Sequence, residues 1–508
     1  MKTPPLARRF LARAGGSILA VPLNLALQAI VPRTLGPASY GNYSYVSAWF
    51  TETIGFLEGG SSSAFFAKWS QRPEEAGIAS FFSLIIAAVG LVLPALVLAA
   101  FGLGLNALLW PGLTGLVVGL AAAMAYGNWL ISVATRAVDV HGQTTAAEVA
   151  VLVVRSALVI VAFALASFNW LGIEAFMALQ AVLNVVVVIA LLGVLRTVDK
   201  AGAFFAFSRG RTRGQYAREF WAYSHPLLTF AFLGVFSNLV DRWLLQRMGG
   251  ATEQAFFGLS ASLAAVIFLV AGSLVSLLTR EFAQALALGD IEDLKEKFVS
   301  LVPATYAATA ALGMFCALEA DHIIILMGGS DYRDARLALT LMCIYPMHQA
   351  YGQLNCALMM ATDRTAVYRN IGTAGLALGP ALTFWLLADR ASGGLALGGA
   401  GLAIKLVLVQ FIIVNVQLGF IVRVLRLGQF RMLLRHQFST PILLGLMAWL
   451  SRLGVGVLFD RPLPSFLGAA VVYFAAVGAV LVLRPTLLLP RSFHWRTLLA
   501  QIHPVDRS

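Results

Sequence analysis

Apolar residues in this chain gather in long unbroken runs separated by short polar segments. A helix that crosses a bilayer needs about 20 predominantly apolar residues. Fourteen runs of that kind are read, near 14–33, 42–60, 77–102, 112–133, 147–167, 172–195, 221–245, 256–279, 299–318, 337–360, 367–388, 397–422, 438–459 and 463–484. Backbone polar groups in lipid must find partners inside the segment or in a closed barrel. Runs this long predict helices. The first run is as long as the others, ends at Pro32-Arg33 and has no clear cleavage site after it, so a membrane span is expected there and not a cleaved leader.

Composition agrees with the pattern. Of 508 residues, 59% are hydrophobic and 12% charged, and the mean hydropathy is +0.82. A soluble domain carries about 25% charged residues. A soluble enzyme, a disordered scaffold and a coiled coil are thereby excluded, and an all-α polytopic membrane protein is expected. The net charge of +12 sits in short loops between apolar runs, so it reads as membrane orientation and not as nucleic-acid binding. With the N-terminus in the cytoplasm, 26 of the 36 Lys and Arg fall on the cytoplasmic side and seven on the other, while Arg155, Lys405 and Arg452 fall inside spans. That bias predicts a multi-pass protein of the cytoplasmic (inner) membrane with both termini inside.

The longest basic connector, 196–219, holds Arg209-Gly210-Arg211-Thr212-Arg213-Gly214. It suggests an N-terminal six-helix lobe over 1–195, a cytoplasmic linker, a second six-helix lobe over 220–422, and an appended helix pair with a cytoplasmic tail over 423–508. A faint repeat crosses the linker: Pro22-Leu23 and Pro226-Leu227 open the first and seventh spans, and Tyr40-Gly41 and Phe257-Gly258 lie near the second and eighth. Such halves would share one orientation, related by an axis along the membrane normal.

No loop is long enough for a folded catalytic domain. No phosphate-cradling G-x-x-x-x-G-K-[ST] occurs, nor any H-E-x-x-H, H-x-x-E-H or G-x-S-x-G. Cys316, Cys343 and Cys356 lack metal-ligand spacing and read as small core residues. No metal site, cofactor or catalytic residue is expected. The loop near 319–336, with Asp321, His322, Asp331, Arg333, Asp334 and Arg336, reads as solvated.

Four short motifs carry a resemblance. They are Leu35-Gly36-Pro37-Ala38-Ser39-Tyr40-Gly41-Asn42-Tyr43, Ser224-His225-Pro226-Leu227 with Asp241-Arg242, Gly328-Gly329-Ser330-Asp331-Tyr332, and Gly398-Gly399-Ala400-Gly401-Leu402-Ala403. In order and spacing they resemble the polysaccharide-export and O-antigen flippase family. That family belongs to the multidrug/oligosaccharidyl-lipid/polysaccharide exporter superfamily, with the multidrug and toxin extruders and the lipid II flippases. The chain departs from the pattern after Phe257-Gly258, where Ser260 replaces the family's aromatic. The resemblance implies a flippase that carries a polyprenyl-pyrophosphate-linked oligosaccharide from the inner to the outer leaflet by alternating access. The lipid tail would stay in the bilayer. Membrane lipid, a coupling cation (proton or sodium), a polysaccharide polymerase and glycosyltransferases are the implied partners, and a monomer is expected. A sugar pyrophosphate cannot cross hydrocarbon without substitutes for its hydrogen bonds. Moving two negative charges out of a negative interior is favourable by about 4–5 kcal/mol per 100 mV.

Ionisable residues inside spans are the first site candidates. Glu52 and Arg155 fall near the middle of the second and fifth spans, Arg155 as a phosphate ligand; a structural Glu52–Arg155 pair is the alternative. Lys405 either lines the path or snorkels, and Arg280 ends the eighth span on the cytoplasmic side. Asn24 and Gln28 share one face of the first span, and Asn238 on the seventh is their counterpart. Asp241 and Arg242 are adjacent, diverge on a helix, and are read as an outer gate. Arg452 suits a structural partner or a lipid phosphate. Two other classes stay open: a cation-coupled multidrug or other lipid exporter, and a membrane glycan polymerase or acyltransferase.

Overall fold

The computed structural model describes residues 6–198, 202, 212–459 and 461–489. Most of the basic linker and the tail after 489 lie outside the described residues. The described chain is all-α. Its helices are α1 (Leu6–Glu58), α2 (Ser61–Gln71), α3 (Ala76–Gly102), α4 (Asn106–Leu109), α5 (Gly115–Val140), α6 (Thr144–Ser167), α7 (Ile173–Thr197) and α8 (Arg213–Met248). The second half adds α9 (Gly250–Ala287), α10 (Ile291–Leu318), α11 (Ala320–Met327), α12 (Arg336–Ala361), α13 (Thr365–Leu387), α14 (Gly398–Leu425), α15 (Phe430–Gly456) and α16 (Pro462–Leu483).

α1 is too long for one span, and its sequence says where it breaks. Gly36 takes φ 71, a left-handed value, and Pro37 follows with no N–H to continue the ladder. The Tyr40 hydroxyl donates to Gln28 Oε1 at 3.0 Å. Twelve residues of straight helix would hold these positions about 18 Å apart. The chain therefore doubles back at Gly36, giving α1 two arms. α8 is also bent, by 68° between its parts 213–225 and 230–248, where Pro226 removes a helical donor.

Ten described helices are long and apolar enough to cross a membrane, and bent α8 makes an eleventh. The two arms of α1 and α12 complete fourteen long segments, one for each expected run. α12 is less apolar because its polar side chains point inward. Asn355 is fully buried and donates to the Val414 carbonyl at 3.1 Å. Large apolar side chains remain uncovered on other helices, among them Leu91 on α3 and Val482 on α16, at 73% and 81% exposure. In water such faces would drive association; in a bilayer they are the lipid-facing surface. This is a multi-pass membrane protein.

Packing divides the chain into two compact units. The first comprises 1–259, 327–332 and 376–402, and the second 260–326, 333–375 and 403–508. In the first unit, Phe65, Trp69 and Phe82 pack with Ala137 and Leu191, and a second cluster gathers Tyr45, Phe50, Trp110, Val118 and Met177. In the second unit, α10 runs through the core. Its Tyr306 donates to the Gln437 carbonyl of α15, and its Ala311 carbonyl accepts from Tyr473 of α16, each at 2.9 Å. The appended pair α15–α16 is thus built into that core.

Candidate functional site

Seven of the nine sequence-selected site residues lie in the first unit, where α8 packs along the second arm of α1. The pairing is antiparallel over the whole arm. Gln246 donates to Asn42 at 3.2 Å, and Asn238 donates to Glu52 Oε1 at 3.0 Å. Gly59 sits 3.5 Å from Leu228 and Gly60 3.6 Å from Ser224, measured from where a β-carbon would stand. Glycines at 55, 59 and 60 leave room between the helices. The result is an apolar cleft of about 360 Å³ lined by Gly55, Phe56, Gly59, Leu228, Ala231, Phe232 and Val235. The Glu52–Asn238 hydrogen bond lies one turn beyond its upper edge.

Asp241 and Arg242 diverge, as adjacent helical positions must. Asp241 is 3% exposed and accepts from the Thr383 hydroxyl of α13 at 2.6 Å. Arg242 turns toward α9, where it donates to Gln254 at 3.1 Å and its guanidinium stacks 4.5 Å from the Phe257 ring centroid. Arg242 is also the cation in electrostatic reach of Glu52.

Arg155 and Glu52 have different neighbours. Arg155, half-buried on α6, has Glu148 as its charged neighbour two turns back on the same helix. Glu148 packs on Gly16 of α1, 2.6 Å from where a β-carbon would stand. Three spanning segments separate the first arm of α1 from α6, so the two helices run the same way. Asn24 and Arg155 lie eight and seven residues beyond the Gly16–Glu148 contact, which puts both about 11 Å further along. Gln28, one turn on, is taken by Tyr40. In the second unit, Lys405 is 4% exposed and takes part in an interaction inside the protein. The Arg280 side chain lies outside the described residues.

Apart from Ser224-His225-Pro226-Leu227, the motifs that scatter along the sequence gather around the first turns of α9. A β-carbon on Gly41 would overlap the Ala251 carbonyl oxygen and stand 3.0 Å from the Ala255 nitrogen. One on Gly258 would overlap Ser44 Oγ and stand 2.8 Å from Ser44 Cβ. The Tyr40-Gly41 and Phe257-Gly258 pairs are therefore the two sides of one close crossing of α1 and α9. The Tyr332 ring meets Tyr40 and Phe256 at centroid distances of 6.3 and 5.9 Å, and its hydroxyl donates to the Pro32 carbonyl at 3.3 Å. Gly399 approaches the α9 backbone, and its N–H donates to Glu253 Oε2 at 2.6 Å, which caps α14 with a carboxylate.

At the other end of α8, Glu219 accepts from Arg72 at 2.5 Å and pairs with Lys68 at 3.5 Å, while Tyr216 donates to Glu75 at 2.6 Å. The Glu219 hydrogen bond raises the affinity of the Arg72 guanidinium for its proton, against a smaller opposing effect of burial. These contacts tie the start of α8 to the α2–α3 turn.

Sequence reasoning passed over Glu148, Thr383, Gln254 and Glu253. Glu148 and Arg155 are seven apart on one run, a spacing that places them on one helix face. Thr383 and Glu253 lie 142 and 146 positions from their partners, and Gln254 lies 12 from Arg242 on the next helix, so the fold is what pairs them. The named charges are three carboxylates, Glu52, Asp241 and Glu148, and two guanidiniums, with Arg242 in electrostatic reach of Asp241 and Glu52 and Arg155 in reach of Glu148. Among the described residues no group of three or more His, Cys, Asp and Glu is placed to hold a metal ion.

No family model matches the chain, and no curated protein matches it. Solved structures do. The lipid II flippase MurJ in an inward closed conformation is similar at TM-score 0.64 and 12% identity, covering 94% of this chain and 99% of that one. An inward-facing multidrug resistance MATE family transporter of the MOP superfamily gives 0.56 at 14% identity, covering 82% and 96%. A MOP superfamily transporter from Pyrococcus furiosus gives 0.55 at 13%, covering 84% and 96%. The chain has their fold. At these identities the likeness concerns the path of the helices.

Proposed function

We propose that the chain is a transporter of the MOP type and, more narrowly, a flippase. It would carry a polyprenyl-pyrophosphate-linked oligosaccharide from the inner to the outer leaflet of the cytoplasmic membrane by alternating access of its two halves, for surface polysaccharide synthesis. The observation that carries this is coverage. The likeness to a lipid II flippase extends over 94% of the chain, whereas the likeness to the MATE transporter stops at 82%. Residues 423–508, the α15–α16 pair and tail, are 17% of the chain and match that shortfall in size. A helix pair beyond twelve suits a substrate with a long lipid tail.

In this reading Arg155 and Asn24, at one depth on neighbouring helices, meet the pyrophosphate and sugar. A guanidinium suits a phosphate because its donors form a planar fork. Glu52 and Asn238 bind hydroxyls when their mutual hydrogen bond opens, and the apolar cleft beside them accommodates the part of the tail next to the head group while the rest stays in the bilayer. Asp241 and Arg242, held by Thr383 and Gln254, act at the outer gate.

A second reading, a cation-coupled exporter of drugs or other lipids, is favoured by Glu52 and Asp241. These carboxylates sit within spans and are bonded to the neutral partners Asn238 and Thr383. Deleting the gene and scoring both phenotypes separates the two. The flippase reading expects loss of surface glycan with drug tolerance unchanged, and restoration by wild type but not by Arg155→Ala. Raised drug sensitivity with intact glycan would select the second reading.

A further inference from the structure

In the second unit, three helix ends come together: the end of α10, the start of α12 and the last turns of α15. Between them lies a cavity of about 640 Å³. Asp321, at the head of α11, holds two guanidiniums there. Its Oδ1 pairs with Arg336 Nε at 3.1 Å and its Oδ2 with Arg452 Nη2 at 3.0 Å. Arg452 also donates to the Leu318 carbonyl at 2.5 Å. Two cations share one carboxylate, so the cavity keeps a net positive charge. Glu319, at the end of α10, is fully buried and engaged by His322, and the exposed Asp331 and Asp334 ahead of α12 are not among the residues lining the cavity.

Arg336 is the open half of the arrangement. Its side chain is 65% exposed, and its pairing with Asp321 is made through Nε. The walls beside it are apolar and uncovered: Leu337, Leu453 and Trp449 are 51%, 51% and 48% exposed. Helix ends mark the level at which hydrocarbon gives way to head groups, and aromatic residues gather at that level. Basic pockets between spanning helices bind anionic head groups by charge-assisted hydrogen bonds.

We propose that this cavity is a binding site for the phosphate of an anionic glycerophospholipid, gripped by Arg336 and Arg452, with its acyl chains lying along Leu337, Leu453 and Trp449. Asp321 fixes the spacing and tilt of the two guanidiniums and keeps them apart when the lipid is absent. The site gives the thirteenth span a ligand of its own, and all its lining residues belong to the second unit. The apolar walls select a lipid over a free phosphate, because inorganic phosphate gains nothing from them.

The test uses the full-length, delipidated protein, titrated with phosphatidylglycerol, phosphatidylcholine or inorganic phosphate and followed by native mass spectrometry. Wild type should hold phosphatidylglycerol in preference to phosphatidylcholine. Arg336→Gln should weaken that binding about tenfold, the loss of one charge-assisted hydrogen bond. Arg336 is exposed, so this variant keeps the fold. Arg452→Gln, which also breaks the Leu318 contact, serves as a second variant and should weaken binding at least as much. Inorganic phosphate should not compete. Equal binding by Arg336→Gln and wild type would overturn the proposal, as would displacement of the lipid by inorganic phosphate at matched concentration.

Discussion

The crossing of α1 and α9 makes a prediction whose sign reverses with context. Gly258→Ala adds a methyl group that overlaps Ser44. Overpacking of this kind costs about 1–3 kcal/mol, while replacing a helical Gly by Ala returns about 1 kcal/mol. The net is a loss of about 0–2 kcal/mol from those two ranges. Ser44→Gly removes the obstructing side chain. In that background Gly258→Ala meets only ordinary contact and should stabilise by about 1 kcal/mol. Gly41→Ala is different, because its obstacles are the Ala251 carbonyl and the Ala255 nitrogen. Backbone cannot rotate away, so the helices must separate, and no side-chain deletion on α9 rescues the variant. Its loss should lie at or above about 2 kcal/mol. Thermal unfolding of the purified protein in detergent, followed by tryptophan fluorescence, measures all four variants. Gly41→Ala as stable as wild type would refute the reasoning. So would Gly258→Ala remaining destabilising when residue 44 is glycine.

Three further outcomes follow from single contacts. Thr383→Val removes a hydroxyl bonded to a buried carboxylate and should cost about 1.5–3 kcal/mol in the same unfolding assay. The loss should shrink by more than half in an Asp241→Asn background, and additive losses would show that the pair is not coupled. Gly55→Leu places its side chain where no atom stands within 4 Å of the β-carbon, so the protein should fold normally yet lose transport as the apolar cleft fills; full transport would take the cleft off the substrate path. The Arg72–Glu219 pair is about three-quarters buried. A double-mutant cycle should give it about 0.2–1 kcal/mol of coupling that declines as salt is added. Coupling indifferent to salt would contradict an ion pair at that surface.

The helices were legible because lipid demands a run length that few other constraints mimic. The turn at Leu35-Gly36-Pro37 was legible as well, since a left-handed glycine before proline is a local event. The divergence of Asp241 from Arg242 follows from the 100° step of a helix. What the sequence concealed was pairing at long range. Glu52 meets Asn238 across 186 positions, and no local rule connects them. Arg155 lies near Glu148 and at the depth of Asn24, a neighbourhood set by how α6 leans on α1. The motif glycines read singly as loose punctuation. Their common purpose, letting backbones of α1, α9 and α14 touch, emerges only when the helices are assembled. The bend at Pro226 belongs to a third kind: read from the sequence, Pro226-Leu227 opens the seventh span, whereas the helix begins at Arg213 and bends by 68° at the proline.

The central claim is that this protein moves an anionic, lipid-linked sugar between leaflets. The most direct measurement reconstitutes the purified protein into vesicles holding a fluorescent polyprenyl-pyrophosphate oligosaccharide and follows the fraction reached by a membrane-impermeant quencher. Wild type should raise the transfer rate above protein-free vesicles, and Arg155→Ala should lower it at least tenfold, the loss of one charge-assisted contact. Vesicles with wild type that transfer no faster than empty ones, under an imposed potential of either sign, would contradict the account.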